Sequence, residues 1–95
     1  IAKDYYYETI TILQKPEADF IAHPVSGKPP LTVQFEDRSL GFPTSWLWDF
    51  GDSVKSYDQN PVHIYSESGN YTVSLSVFSD EGSSVKTKDG FITVQ

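Results

Sequence analysis

The sequence predicts an all-β protein, an antiparallel β-sandwich, and three observations lead to this fold class. Short runs alternate between apolar and polar residues, the pattern of strands with one face in a core and the other in water. Turn-forming residues separate these runs at intervals of about ten residues. One run also ends in Phe50-Gly51-Asp52, and a long alternating run follows after a polar loop. Short strands at such spacing are typical of a sandwich or a barrel.

Each alternating run is predicted to be a strand with a defined inner face. In chain order the inner faces are Ala18, Phe20 and Ala22; Leu31, Val33 and Phe35; Trp46, Trp48 and Phe50; Tyr71, Val73, Leu75 and Val77; and Ile92 and Val94. The breaks between the runs, rich in proline, glycine, asparagine and aspartate, are residues 24–30, 40–43, 51–53, 60–61, 66–70 and 80–82. The last break, Asp80-Glu81-Gly82, predicts a tight hairpin because strand-like runs flank it.

Length and composition indicate one domain without covalent cross-links. The chain has 95 residues and no cysteine, which excludes disulfides, thiolate metal sites and thiol catalysis. Residues 9–14 resemble residues 90–95, since both are Ile/Thr strands that end in glutamine. Either residues 1–14 are the last strand of a preceding similar domain or an N-terminal extension, or the two strands merely share β-forming residues. We place the domain itself at residues 15–95.

The charge of the chain argues against nucleic acid as a partner. Seven Lys and Arg residues are scattered among thirteen Asp and Glu, giving a formal net charge of −6, whereas a phosphate backbone is held by clustered basic side chains. No apolar run approaches the roughly 18 residues that a membrane span needs. We therefore expect neither nucleic-acid binding nor direct membrane insertion.

With these blocks in view, the chain from about Pro16 to Val94 resembles the PKD domain family, the polycystic kidney disease repeat, of the archaeal and bacterial surface-layer or secreted-protein type. The matching blocks are Ala18-Asp19-Phe20, residues 27–39, Trp46-Leu47-Trp48-Asp49-Phe50-Gly51-Asp52, Asn60-Pro61-Val62-His63-Ile64-Tyr65 and residues 69–77. The resemblance implies an immunoglobulin-like sandwich of about seven strands, found mostly outside cells and without catalysis of its own.

Two departures from the family pattern matter. Ser53 stands where the family usually has glycine, and serine tolerates a positive φ poorly, so we expect a different or slightly strained turn. Some members bind calcium through acidic side chains in the loop before the tryptophan strand. Residues 39–45 contain no carboxylate, and calcium takes six to eight oxygen ligands. We therefore predict no metal and no cofactor.

The residues that carry the resemblance are predicted to be structural. Asp49 and Asp52 have the spacing of paired acids, but around a tight turn they more naturally accept backbone N–H bonds. His63 has no second histidine or cysteine nearby, and Tyr65 or Tyr71 can anchor a corner through its hydroxyl. We predict no catalytic residue. The complete structural set is Trp48, Asp49, Phe50, Gly51, Asp52, His63, Tyr65, Gly69 and Tyr71.

Three further features have a functional alternative. Trp46 either extends the buried face or, if exposed, forms a platform for sugar rings. Tyr5, Tyr6 and Tyr7 invite the same question, although adjacent strand residues point to opposite faces and cannot form one flat platform. Asn70-Tyr71-Thr72 is a glycosylation sequon, so Asn70 is a candidate for modification if the protein is secreted.

The sequence thus predicts a non-catalytic extracellular module at the cell surface. In the first interpretation it is a rigid spacer or protein–protein contact unit of a surface-layer or adhesin-like protein, with neighbouring domains and other surface proteins as partners. Exposed strand edges are then the natural contact surfaces. In the alternative it is an accessory module of a secreted hydrolase that binds a polysaccharide or collagen, with Trp46 as the residue that discriminates.

Overall fold

Two β-sheets packed face to face form the domain in the computed structural model, which describes residues 15–95. A three-stranded sheet has the order β1-β3-β6, and a five-stranded sheet has the order β2-β8-β7-β4-β5. The strands are β1 (Phe20–His23), β2 (Ser26–Gly27), β3 (Leu31–Asp37), β4 (Ser45–Asp49), β5 (Lys55–Ser56), β6 (Val62–Tyr65), β7 (Gly69–Ser79) and β8 (Gly82–Val94). The predicted all-β, immunoglobulin-like sandwich is confirmed. The expectations for residues 1–14, including Tyr5, Tyr6 and Tyr7, lie outside the described residues.

One strand pair departs from the antiparallel prediction. Strand β2 runs parallel to β8, with Ser26 opposite Thr93 and Gly27 opposite Val94. Pro24 ends β1, and the chain then crosses to the other sheet while continuing in the same direction. The segment of residues 24–30, predicted to be a break, therefore contains a short strand.

The core lies between the inner faces that the alternation predicted. Trp48 is fully buried at its centre, with the Phe20 ring edge-on at 5.1 Å and the Phe35 ring tilted at 5.2 Å. The indole N–H of Trp48 donates to the backbone carbonyl of Asp58 at 2.9 Å, so this buried polar group is paired. The fully buried large side chains are Trp48, Tyr65, Phe20, Phe35, Phe50, Leu75, Ile92, Val33, Val73 and Val77.

Strands β7 and β8 form the predicted hairpin, closed by Asp80 and Glu81. A bulge interrupts the hairpin, because Tyr71 pairs with Ile92 whereas Val73 pairs with Lys88. The extra residues of β8 surround Gly90, whose φ of +55° suits glycine. Phe91, next to Gly90 in this bulge, does not lie on the inner face predicted from Ile92 and Val94, yet it is half-buried and packs edge-on against Phe20 at 5.6 Å.

The chain enters and leaves the sandwich at opposite ends. Lys15 lies against Gly82, beside the β7–β8 hairpin loop. At the other end the backbone N–H of Gln95 donates to the carbonyl of Gly27 at 2.8 Å. Over residues 15–95 we find no helix of the length and hydropathy that a membrane crossing requires.

Candidate functional site

The turn after β4 is shaped by two aspartates that bond to the backbone. Oδ1 of Asp49 accepts from the N–H of Gly51 at 3.0 Å, and Oδ1 of Asp52 accepts from the N–H of Val54 at 3.2 Å. Gly51 has a φ of +86°, and a Cβ added there would collide with the carbonyl oxygen of Thr72 on β7. Backbone approaches backbone here, so only glycine fits this position.

Asp52 and His63 connect this turn to β6. Their Oδ2 and Nε2 atoms are 2.7 Å apart, and the two side chains are only 22% and 12% exposed. The imidazole stacks on the Phe50 ring at 4.2 Å with an interplanar angle of 7°. The imidazole of His63 is thus held at its edge by a carboxylate and on one face by an aromatic ring. The arrangement ties one sheet to the loop of the other.

Both tyrosines make the corner bonds that were expected of one of them. The hydroxyl of Tyr65 donates to the carbonyl of Phe50 at 2.8 Å, and that of Tyr71 donates to the carbonyl of Glu67 at 2.7 Å. Burial raises the pKa of Tyr65 well above its usual range, and the negative charge of Asp52 adds to the rise. Gly69 begins β7 beside the Tyr71 ring. The buried phenol stays protonated and serves as a hydrogen-bond donor.

Ser53 adopts the positive φ that we expected to be costly for a serine where the family usually has glycine. Its φ is +76°, in the left-handed region that L-residues other than glycine seldom visit. Such a residue is disfavoured by about 1–2 kcal/mol. The turn therefore keeps its shape at the expense of some backbone strain.

Trp46 lies between the core and an open groove. The indole is half-buried against the core, and its N–H donates to Oδ2 of Asp37 at 3.0 Å. The same Oδ2 accepts from the Gln59 amide at 3.1 Å, which fixes the orientation of the ring. The groove, about 470 Å³ in volume, is lined by Asp37, Ser39, Leu40, Gly41, Phe42, Pro43, Trp46 and Gln59. Trp46 thus packs against the core and also lines the groove, and its use as a ligand platform stays a prediction.

Phe42 is a groove residue that the sequence reasoning missed. It is 93% exposed and has a φ of +55°, between Gly41 and Pro43. The sequence alone gave no sign that this large aromatic side chain faces away from the core. It places a second aromatic ring at the groove beside Trp46.

The remaining candidates are separate from this groove. Asn70 is an exposed residue of β7, opposite Thr93, and its glycosylation stays a prediction. Within the described part of the chain, no three His, Cys, Asp or Glu side chains come together as metal ligands. The structural set predicted from the family blocks converges around the turn after β4 and the start of β7.

Comparisons with known proteins agree with this geometry. The chain is 46% identical over 55 residues to collagenase ColQ1 of Bacillus cereus strain Q1, which covers 52% of this chain and 6% of the collagenase. It thus spans only a small part of that protein. The PKD1 domain of the Vibrio cholerae metalloprotease PrtV is 30% identical, with a TM-score of 0.71 over 86% of this chain and 99% of that domain.

A third similarity is to a structure from work on the promiscuous specificity of carbohydrate-binding modules of the β-sandwich superfamily. It is 27% identical, with a TM-score of 0.75 over 88% of this chain and 36% of the other. The family profile described as the PKD domain matches residues 13–94, nearly the whole chain. Sequence blocks, sandwich topology and family profile therefore agree that this chain belongs to the PKD domain family.

Proposed function

We propose that this domain is a non-catalytic extracellular module of a secreted polymer-degrading enzyme, in which it separates neighbouring parts of the parent chain and contacts the polymer. The spacing role is supported by one observation above all. The chain enters at Lys15 and leaves at Gln95, at opposite ends of a sandwich. A neighbour on each side is therefore held apart by the length of a rigid core.

The absence of catalysis is proposed from how the acidic and basic side chains are used. Asp49 and Asp52 accept backbone N–H bonds in their turn, and His63 is held between Asp52 and Phe50. A general acid or base must reach a substrate, whereas these groups already have structural partners. Their chemistry goes into holding the sheets and loops together.

Contact with a polymer is proposed for the groove beside Trp46. Aromatic faces stack on sugar rings or on the apolar rings of peptide side chains, and here Trp46 and the exposed Phe42 line one groove. The collagenase and carbohydrate-binding similarities support a polymer ligand, either collagen or a polysaccharide. The acidic, charge-mixed surface keeps the module soluble while it remains attached to an insoluble substrate.

Sedimentation of the 95-residue chain with insoluble collagen, chitin and cellulose tests this contact. The best variant is Phe42→Ala, because an exposed ring can be removed without disturbing the core. We expect it to reduce binding several-fold at an unchanged melting temperature. Val85→Ala, at an exposed position on β8, is the matched control and should bind as the wild type does. Equal binding by all three proteins would contradict a role for the groove.

Peptide mapping of the parent protein tests the spacing role independently. A catalytic domain beside this one supports an accessory module of an enzyme. Further copies of Trp-Asp-Phe-Gly-Asp domains would instead favour the array of a surface-layer or adhesin-like protein attached to the cell. In that case other surface proteins become the partners, and the spacing function remains while the polymer contact is lost.

A further inference from the structure

The edge strand β6 has the geometry of a docking site for another strand. In the ladder between β3 and β6, the N–H of Phe35 donates to the carbonyl of Pro61 at 2.9 Å, which sets the phase of the hydrogen bonds. The backbone hydrogen-bonding groups of Pro61, His63 and Tyr65 therefore point toward β3. The intervening residues Val62 and Ile64 direct their N–H and C=O groups away from the sheet. Among residues 15–95, no strand pairs with this side of β6.

This edge lacks the devices with which proteins usually block unpaired strands. Such edges tend to carry lysine, proline or a bulge, or to be very short. Strand β6 reads Val62-His63-Ile64-Tyr65, with no charged side chain on its outer face. Val62 and Ile64 are 58% and 52% exposed, so apolar surface accompanies the free backbone groups. The strand presents both elements that strand addition uses, main-chain hydrogen bonds and exposed side chains.

The other edges in the described part of the chain are short, partly capped, or protected by lysines and a bulge. The part of β8 that β2 does not cover contains Lys86, Lys88 and the bulge around Gly90. Strands β2 and β5 have two residues each, and β5 carries Lys55. On β1 the outward carbonyl of Phe20 accepts from the Lys88 ammonium at 2.6 Å, and its N–H donates to the Asp19 carboxylate at 2.9 Å. Strand β6, with four residues, presents the free N–H and C=O groups of Val62 and Ile64 and carries neither a lysine nor a bulge.

The charge beside this edge determines the kind of strand that fits. A groove of about 320 Å³ lies beside the second half of β6 and is lined by Asp52, Val54, His63, Ile64, Ser66, Glu67 and Tyr71. The lining contains two carboxylates and no lysine or arginine. An incoming strand with basic side chains gains from these carboxylates. A second copy of this chain, with a net charge of −6, brings like charge to the same place.

We propose that β6 binds an extended basic peptide segment by strand addition, through the N–H and C=O groups of Val62 and Ile64, with Asp52 and Glu67 attracting its lysine or arginine side chains. This site is separate from the groove beside Trp46 and does not depend on polymer binding there. Its partner is an extended segment of another protein, with alternating apolar and basic residues.

Binding of a labelled synthetic peptide of alternating valine, threonine and lysine to the 95-residue chain tests the proposal. The amide signals of Val62 and Ile64 should shift in NMR spectra, and their hydrogen exchange should slow. A peptide with glutamate in place of lysine should bind about tenfold more weakly or worse. Shifts confined to another edge or to the Trp46 groove would overturn the proposal.

Backbone methylation of the peptide provides the sharper control. N-methyl groups on the alternate residues that face β6 remove its hydrogen bonds and should weaken binding by about tenfold or more. Methylation of the other alternate set leaves those bonds intact and should change little. Equal effects of the two methylated peptides would show that side chains alone hold the peptide, and the proposal would fail.

Protein variants locate the site without threatening the fold. Ile64→Lys places a positive charge on the open edge and should abolish binding of the basic peptide. Val85→Lys, the same change in charge at a 63% exposed residue of β8, should leave binding unchanged. Self-association of the wild type that Ile64→Lys removes, without peptide binding, would assign the edge to a second copy and overturn the choice of partner.

Discussion

The two edge strands of the three-stranded sheet, β1 and β6, are held in place in different ways. At β1, Lys88 reaches across from the facing sheet, binds the carbonyl of Phe20 and lies 4.8 Å from the Phe20 ring and 5.0 Å from the Phe91 ring. At β6, the anchoring contacts are on the inner side, from His63 to Asp52 and from Tyr65 to Phe50. At one edge the outward backbone groups of Phe20 are occupied, and the other edge is fixed in place with its outward groups free.

The difference shows that holding an edge strand and blocking it are separate tasks. Lys88 does both for β1, because it pairs with the buried Val73 and therefore directs its side chain to the inner face of β8. His63 and Tyr65 hold β6 through its inward side chains and make no bond with its outward backbone. An edge anchored in this way is rigid, and a partner strand that binds it loses little of its affinity to ordering the site.

Removing the inner anchor of β6 should have the largest effect. Tyr65→Phe deletes the hydroxyl that donates to the carbonyl of Phe50, and a buried acceptor left without a partner costs about 1–3 kcal/mol of unfolding free energy. Urea denaturation measures the loss. Tyr71→Phe is the matched control, since its bond to Glu67 is exposed to water and should matter less. Equal losses for the two variants would contradict a buried anchor at Tyr65.

Removing the cap of β1 should cost somewhat less. Lys88→Met keeps an apolar stem between Phe20 and Phe91 but deletes the ammonium group, so we expect a loss of about 1–2 kcal/mol. The amide of Ala22, which also points outward from β1, should exchange faster with solvent. Lys86→Met, at an exposed position on the same strand, should stay within about 0.5 kcal/mol of wild type. A loss of unfolding free energy no larger than about 0.5 kcal/mol for Lys88→Met would show that the cap does not stabilise the edge.

High pH should weaken the inner anchor of β6. Burial raises the pKa of Tyr65 above its ordinary value of 10.0, so the folded state retains a proton that the unfolded state releases. This contribution to stability is complete below pH 10 and is lost as the pH rises further, by at most about 1.4 kcal/mol per pH unit. Urea denaturation from about pH 9 to about pH 12, a range that brackets the ordinary tyrosine pKa of about 10, measures the slope.

The Tyr65→Phe variant serves as the control for that slope. It should lose less stability than the wild type over the same alkaline range, because it has no phenol to ionise at this position. Parallel pH profiles for the two proteins would mean that other groups determine the alkaline unfolding. The effect of the buried tyrosine would then be too small to matter.

Changes on the outer face of β6 should have the smallest effect on stability. Replacing Val62 and Ile64 together by threonine keeps β-branched side chains at exposed sites, so unfolding free energy should change by less than about 0.5 kcal/mol per site. Val33→Thr, on the neighbouring strand but fully buried, should cost more than about 1 kcal/mol. Comparable losses would indicate that β6 is covered on its outer face in solution.

Alternation in the sequence predicted the inner faces well, because burial selects side chains with the period of the strand. The same signal was weaker where both faces carry apolar residues. Val62 and Ile64 alternate with His63 and Tyr65, so the pattern does not tell which pair faces water. The two-residue strands β2 and β5 are too short to show any period. Lys88 escaped notice because its bond to the carbonyl of Phe20 joins residues 68 positions apart on facing sheets, and alternation along one strand does not reveal such a contact.

The candidate sites divide in the same way between local and long-range signals. The turn bonds of Asp49 and Asp52 were predictable, since they span two residues and follow from aspartate chemistry. The contact between His63 and Asp52 joins residues eleven positions apart on different sheets, and only the fold brings them together. The groove beside Trp46 likewise depends on how the loop with Phe42 lies against β4.

The parallel pairing of β2 with β8 has a consequence for a domain that is pulled from both sides. Tension between Lys15 and Gln95 draws β8 toward one end of the sandwich and β1, with the attached β2, toward the other. The β2 segment and β8 are then pulled in opposite directions along their length. The hydrogen bonds from Thr93 to Val25 and from Gln95 to Gly27 bear this shear force together. A hairpin pulled from its open end breaks its bonds one after another, whereas strands in shear must break theirs at once. The pairing of the short β2 with β8 therefore resists extension of the domain under tension.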